Sequence, residues 1–174
     1  MERRNSLIED NIRMLEQGIG VIEKMGNSLY SNAKPPFLQN GVGSHFRHCI
    51  DFYTCFLASV ETGKINYVLR KRNSLVEIDC SFAVLEIEAI IEKLRRLSPS
   101  DFEKQALVIA EESSGPLDTS GWSRSSLARE LEYLLSHTIH HYALIALALR
   151  LQGFEPGEEF GVAPSTLAYW KQTA

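Results

Sequence analysis

Residues 123–151 read SRSSLARELEYLLSHTIHHYALIALALRL and contain neither glycine nor proline. Apolar side chains recur in this stretch at spacings of three and four residues, which is the periodicity of an amphipathic helix. We predict one uninterrupted helix over these residues, with Gly153 marking its end. It is the longest element that the sequence predicts, and it favours a helical fold.

Three more long helices follow from the same periodicity. They are predicted over about residues 5–25, from about Gly43 to Thr62, and from Val76 or Asp79 to Leu97. A short helix from Thr166 to Gln172 lies near the end of the chain. Four long helices with modest connections predict an all-α bundle.

Residues 105–123 interrupt the helical pattern. The apolar run Leu107-Val108-Ile109-Ala110 has the length of a strand, and Ser113–Ser120 has the glycine, proline and serine content of a turn. A small hairpin or an irregular β-excursion is therefore predicted near 105–123. With 174 residues, the chain is expected to form a single domain over residues 1–174.

Composition excludes several classes of protein. The net charge of −4 argues against a nucleic-acid partner, because phosphate neutralisation needs a basic surface. No apolar run approaches the ~18 residues of a membrane-spanning helix. Three cysteines without CxxC spacing favour free thiols, and a cytoplasmic location is expected.

The apolar face of the first predicted helix includes Leu7, Leu15 and Ile22. This face could pack both inside the chain and against a second copy of the protein, which leaves a homodimer open.

All five histidines lie in two short windows, and a metal site is our leading hypothesis. His137 and His141 are four residues apart on the long helix, so both project from one face. An HxxxH pair of this kind is a recurrent metal-binding arrangement. We therefore interpret His137 and His141 as two metal ligands.

A third ligand must come from another helix. His48 lies one turn before Phe52, in line with the apolar stripe of the second helix, and we favour it over His45. His45 is interpreted as a pocket wall or as a residue that supports a ligand. Further candidates for the pocket are the neighbouring residues His140, Tyr142 and Tyr53.

An all-nitrogen ligand set suits a divalent ion such as zinc, nickel or iron, and the sequence does not choose among them. The HExxH motif of zinc proteases is absent, and so are the Glu-x-x-His pairs of di-iron bundles. Two alternatives stay open beside a metal-dependent enzyme. They are a metal-binding module without turnover and a metal-free helical interaction domain.

The windows GSHFRHCID (43–51) and LSHTIHHYAL (135–144) resemble the signature helices of the DinB/YfiT-like superfamily of metalloenzymes. The resemblance implies an up-down four-helix bundle in which His48, His137 and His141 hold the metal, with His140 as the extra histidine before the last ligand. It also implies a small-molecule substrate and either a thiol-dependent transferase, using a low-molecular-weight thiol, or a small-substrate hydrolase. The chain departs from the family pattern at His45, one turn before the expected ligand, and in lacking an acidic residue within HxxxH.

Overall fold

Helices make up most of the chain in the computed structural model, which describes residues 2–33, 40–98, 100–110 and 121–173, with side chains from residue 6 onward. The helices are α1 (Glu2–Ile22), α2 (Asn27–Ser31), α3 (Val42–Ala58), α4 (Leu75–Ile78), α5 (Cys80–Arg95), α6 (Leu127–Arg150) and α7 (Pro164–Thr173). Single turns of 3₁₀ helix cover Tyr67–Leu69 and Asp101–Glu103. The predicted helical character is confirmed.

The four long helices α1, α3, α5 and α6 share one core. Helix α1 packs against α5 and α6, and α3 packs against the same two helices. The buried side chains between them include Ile12, Leu15, Ile22, Phe56, Ile87, Leu94, Leu134 and Leu149. Full burial of each such side chain contributes about 1.5–3 kcal/mol. The contact between α3 and α6 brings the two histidine windows face to face.

Helix α6 begins later than predicted. Ser126 is its N-cap residue, and the Oγ atom accepts a hydrogen bond of 3.2 Å from the backbone N–H of Arg129. The residues before the cap, Ser123–Ser126, form a strand and not the first turn of the helix. They pair in antiparallel register with Gln105–Val108, and this long-range pairing overrides the local helical pattern.

A small three-stranded sheet corrects the all-α prediction. Its strands are β1 (Lys64–Asn66), β2 (Gln105–Ile109) and β3 (Ser123–Ser126), in the order β1-β2-β3. β1 is parallel to β2, and β2 is antiparallel to β3. The strand predicted from residues 107–110 is present, whereas β1 lies between the second and third predicted helices, where we predicted no strand. The turn predicted at 113–120 lies outside the described residues.

The apolar face of α1 turns inward. Leu15 and Ile22 are 1% and 0% exposed, because they pack into the core shared with α5 and α6. Leu7 is partly buried against the same core. This face is therefore used within the chain, and the homodimer stays a prediction.

Within the described ranges, no helix combines the length and the apolar character that crossing a lipid bilayer requires.

Candidate metal centre

Helices α3 and α6 bring three imidazoles together. His48 comes from α3, and His137 and His141 come from successive turns of α6. One ring nitrogen of each histidine lies within 4.8 Å of the other two, so the group could hold a metal ion. All three side chains are half-buried. The predicted trio of histidines is therefore a real cluster.

The spacing of the nitrogens suits a tetrahedral ion. Nε2 of His137 lies 3.2 Å from Nε2 of His48 and 3.2 Å from Nε2 of His141. Two imidazole nitrogens that are each ~2.05 Å from a tetrahedral ion are about 3.3 Å apart. Both separations from Nε2 of His137 therefore match the spacing that a shared cation would require.

Hydrogen bonding alone does not account for this arrangement. An imidazole nitrogen either donates its one proton or accepts at its one lone pair. Nε2 of His137 can therefore make a hydrogen bond to His48 or to His141, but not to both. The other close pair then brings two lone pairs or two N–H groups together. A cation among the three atoms would remove that conflict.

His45 contacts His141 at Nδ1, the ring nitrogen that does not face the other two candidate ligands. Their Nδ1 atoms are 2.9 Å apart, so one donates a hydrogen bond to the other. When Nδ1 of His141 is the donor, its Nε2 keeps a lone pair directed at the cluster, and Nδ1 of His45 is the acceptor. Metal-binding histidines are commonly oriented by a hydrogen bond of this kind. The structure thus places His45 next to a candidate ligand, one turn before His48.

The environment favours neutral imidazoles. Burial, together with the neighbouring imidazoles, His137 first among them, lowers the pKa of His141 to about 3. Burial also lowers the pKa of His45, with a smaller contribution from His140. Both rings are therefore uncharged at neutral pH, and an uncharged imidazole is the form that binds a metal ion.

We expect His45→Ala to weaken zinc binding by about 10–100-fold, because His141 loses the partner that fixes its tautomer and ring orientation. Competition with a chromophoric chelator measures this affinity. His140→Ala is the matched control, since His140 is exposed on the same helix with its ring 5.4 Å from that of His141. Equal zinc affinity in the two variants would show that His45 does not support the site.

Aromatic rings form a wall beside the cluster. The ring of Phe52 lies 4.5 Å from that of His137 and 4.8 Å from that of His48, and Tyr133 stacks on His137 at 5.4 Å. Tyr67 stacks in turn on Phe52 at 4.7 Å. This wall excludes water from one side of the imidazoles and strengthens electrostatic interactions there.

Sequence reasoning missed Tyr133 as a member of this wall, and it did not assign Tyr67 to the site. Tyr133 precedes His137 by one helical turn, so the i,i+4 rule could have found it. Tyr67 lies far from both histidine windows in the sequence, and no local spacing connects it to them.

The structure places the other predicted pocket residues differently. Tyr53 is fully buried, and its hydroxyl donates a 2.7 Å hydrogen bond to Oδ1 of Asn11 on α1. Tyr142 is buried between Phe46 and Phe160. Burial raises the pKa of both tyrosines. Both rings thus pack in the core and not against the three histidines.

Charged side chains next to the cluster pair with each other. Arg47 donates to Asp51 at 3.1 Å, the i,i+4 pair that the spacing predicts, and to Glu77 on α4 at 2.8 Å. Arg70 is buried with its guanidinium 4.9 Å above the ring of Phe52. The Arg47–Glu77 pair joins α3 to α4, and Arg70 covers the aromatic wall.

No protein-family model matches the chain, and no curated protein matches it either. The geometry of the histidines is therefore the basis for assigning a function.

Proposed function

We propose that the protein is a metal-dependent enzyme of the DinB/YfiT-like kind, with a divalent ion held by Nε2 of His48, His137 and His141. The observation that carries this proposal is the approach of two Nε2 atoms to a third at 3.2 Å each. Neutral imidazoles cannot satisfy both contacts by hydrogen bonding, whereas one shared cation can.

The donor set fits an open metal site. Three neutral imidazoles leave a divalent ion with its full charge, and a tetrahedral ion then has one position for water or substrate. Structural zinc sites are instead closed by four protein ligands. Zinc, nickel and iron(II) all accept imidazole nitrogen, so the ligands alone leave the choice among these ions to geometry and availability.

A bound divalent ion would acidify a water molecule or a thiol and so supply a nucleophile near neutral pH. Water as the nucleophile gives a small-substrate hydrolase, and a low-molecular-weight thiol gives a thiol-dependent transferase. The residues of the chain have defined tasks in either reaction. His45 orients His141, and Phe52 and Tyr133 keep bulk water from one side of the site.

The order of the long helices supports the family proposal. α3 is the second long helix and carries His48, and α6 is the fourth and carries the HxxxH pair. Each of the four long helices packs against two of the others. We propose that α1, α3, α5 and α6 form the up-down bundle of the DinB/YfiT-like superfamily, with the sheet and the short helices as additions.

Metal-dependent turnover is the test of this proposal. Untagged protein is stripped with a chelator, reloaded separately with zinc, nickel or iron(II), and assayed for thiol transfer from L-cysteine to monochlorobimane and for hydrolysis of a panel of small amides. At least one ion is expected to raise one of these rates by ~100-fold or more over the stripped protein, in line with general nucleophile activation by metals. His137→Ala provides the background rate. A loaded protein that stays at that background in every assay would contradict the enzymatic proposal and indicate a metal-binding module.

A further inference from the structure

A cavity adjoins the histidine cluster on the side of Tyr133. It has a volume of about 340 Å³, and its lining includes Tyr67, Tyr133, Ser125, Glu130, Arg124 and Arg129. Tyr133 stacks on His137 and also lines this cavity, so its ring contacts both the cluster and the cavity. The cavity lies at the lower end of the volume range of small-molecule sites, which suits a small ligand.

The cavity contains a buried carboxylate. Glu130 is 7% exposed, and its two oxygens accept hydrogen bonds from the hydroxyls of Ser125 at 2.6 Å and Tyr67 at 3.0 Å. Both donors are neutral. In the described part of the chain, no cationic side chain pairs with Glu130. The positive end of α6 offsets part of the charge, but a buried carboxylate normally has a full counter-charge.

The surroundings of Glu130 favour a cationic group. The rings of Tyr67 and Tyr133 are 6.0 Å apart beside the carboxylate. Aromatic faces attract ammonium groups through their negative electrostatic potential. A ligand ammonium in this position would contact one carboxylate and two aromatic rings.

The rim of the cavity has the opposite charge. Arg124 and Arg129 line it, both are exposed, and neither makes an ion pair with a carboxylate of the described residues. Guanidinium groups bind carboxylates well because their donors match the two oxygens. The cavity therefore presents a negative group inside and positive groups outside.

We propose that this cavity binds a small zwitterionic substrate of the α-amino acid or short-peptide class. Its ammonium group lies at Glu130 and its carboxylate at Arg124 and Arg129. Both charges of the ligand then meet an opposite charge of the protein.

The position of Glu130 on α6 places the proposed ligand near the histidines of the same helix. Glu130, Tyr133, His137 and His141 follow each other at spacings of three and four residues, so they share one face of the helix. Seven residues of helix separate Glu130 from His137 by about 10 Å. A side chain or a second residue of the bound molecule spans that distance. The assignment of the molecule as a substrate rests on the proposed function, whereas its binding does not require the metal.

Saturation-transfer difference NMR tests the inference with the twenty L-amino acids and L-alanyl-L-alanine as probes, on zinc-loaded and on chelator-treated protein. At least one zwitterion is expected to bind at millimolar concentration or below. The N-acetyl derivative and the C-terminal amide of that probe are each expected to bind at least tenfold more weakly. Absence of binding by every probe, or equal binding of the blocked derivatives, would overturn the inference.

Glu130→Gln keeps the shape of the side chain and its capacity for hydrogen bonding while removing its charge. It is expected to weaken binding of the zwitterion at least tenfold, and so is the double variant Arg124→Gln, Arg129→Gln. Glu132→Gln, an exposed change on the same helix, is the control and should bind as the unmodified protein does. A folded Glu130→Gln variant with unchanged affinity would refute the role of Glu130. If that variant does not fold, the comparison of blocked derivatives on the unmodified protein decides the question.

Zinc content separates the two proposals. Protein that holds zinc but binds no zwitterion contradicts only this inference. Protein that binds the zwitterion but holds no zinc supports the cavity assignment and contradicts only the proposed metal site.

Discussion

Replacing His137 with alanine is expected to lower metal affinity by more than ~100-fold, so that little metal survives dialysis. Nε2 of His137 is the atom that lies 3.2 Å from both of the other candidate ligand atoms. Its loss leaves His48 and His141 without the third nitrogen that completes the set. Elemental analysis of untagged protein after dialysis against metal-free buffer measures the effect.

His140→Ala is the matched control for that experiment. His140 lies on the same helix and is exposed, whereas His137 is half-buried between His48 and the ring of Tyr133. The control should retain about one ion per chain, as the unmodified protein should. Equal metal content in the two variants would exclude His137 as a ligand.

Gly43→Ala is expected to destabilise the protein by about 3 kcal/mol or more, since overpacking a closed contact forces the backbone to move. A Cβ atom at Gly43 would lie 2.8 Å from the backbone carbonyl carbon of Glu77 and closer still to its oxygen. It would also press on the ring of Tyr30, which is fully buried. The absence of a side chain at Gly43 therefore allows α3 and α4 to approach closely, at the start of the histidine window of α3.

Thermal unfolding of the metal-free protein measures the cost. For a chain of this size, the expected loss corresponds to a fall in Tm of about 6–12 °C. Gly20→Ala is the control, because a Cβ atom at Gly20 in α1 meets nothing within 4 Å. That change should raise Tm slightly, since alanine stabilises a helix interior by about 0.5–1 kcal/mol relative to glycine. A Gly43→Ala protein as stable as Gly20→Ala would show that α3 and α4 are not in close contact.

Local periodicity was sufficient to predict the long helices and two members of the histidine cluster. His137 and His141 share a face because the helical repeat requires it. The choice of His48 over His45 rested on its alignment with Phe52, and Nε2 of His48 does lie in the cluster. His45 lies next to the cluster through its contact with His141, as the interpretation of a supporting residue expected.

Long-range contacts account for what the sequence did not reveal. β1 has three residues, and its pairing with β2 brings Ile65 opposite Val108. The formation of such a short strand is determined by pairing with its partner and not by its own composition. The hydrogen bond from Tyr67 to Glu130 joins residues 63 positions apart, so no spacing rule could have indicated it.

Tyr53 and Tyr142 lie near candidate ligands in the sequence but not in the structure. Both lie close to a candidate ligand in the sequence, with Tyr53 five residues after His48, but the helix directs both side chains into the core. Tyr142 directly follows His141, and a step of one residue turns a side chain by about 100° around the helix axis. Closeness in sequence therefore gave the wrong impression of closeness to the metal site.

A crystal structure of the untagged protein loaded with zinc, with anomalous data collected at the zinc edge, shows whether the three histidines hold one ion. We expect a single strong peak about 2.0–2.1 Å from Nε2 of His48, His137 and His141. Zinc-loaded crystals with no peak among these three atoms, or with the ion bound elsewhere on the chain, would show that these histidines do not form a metal site.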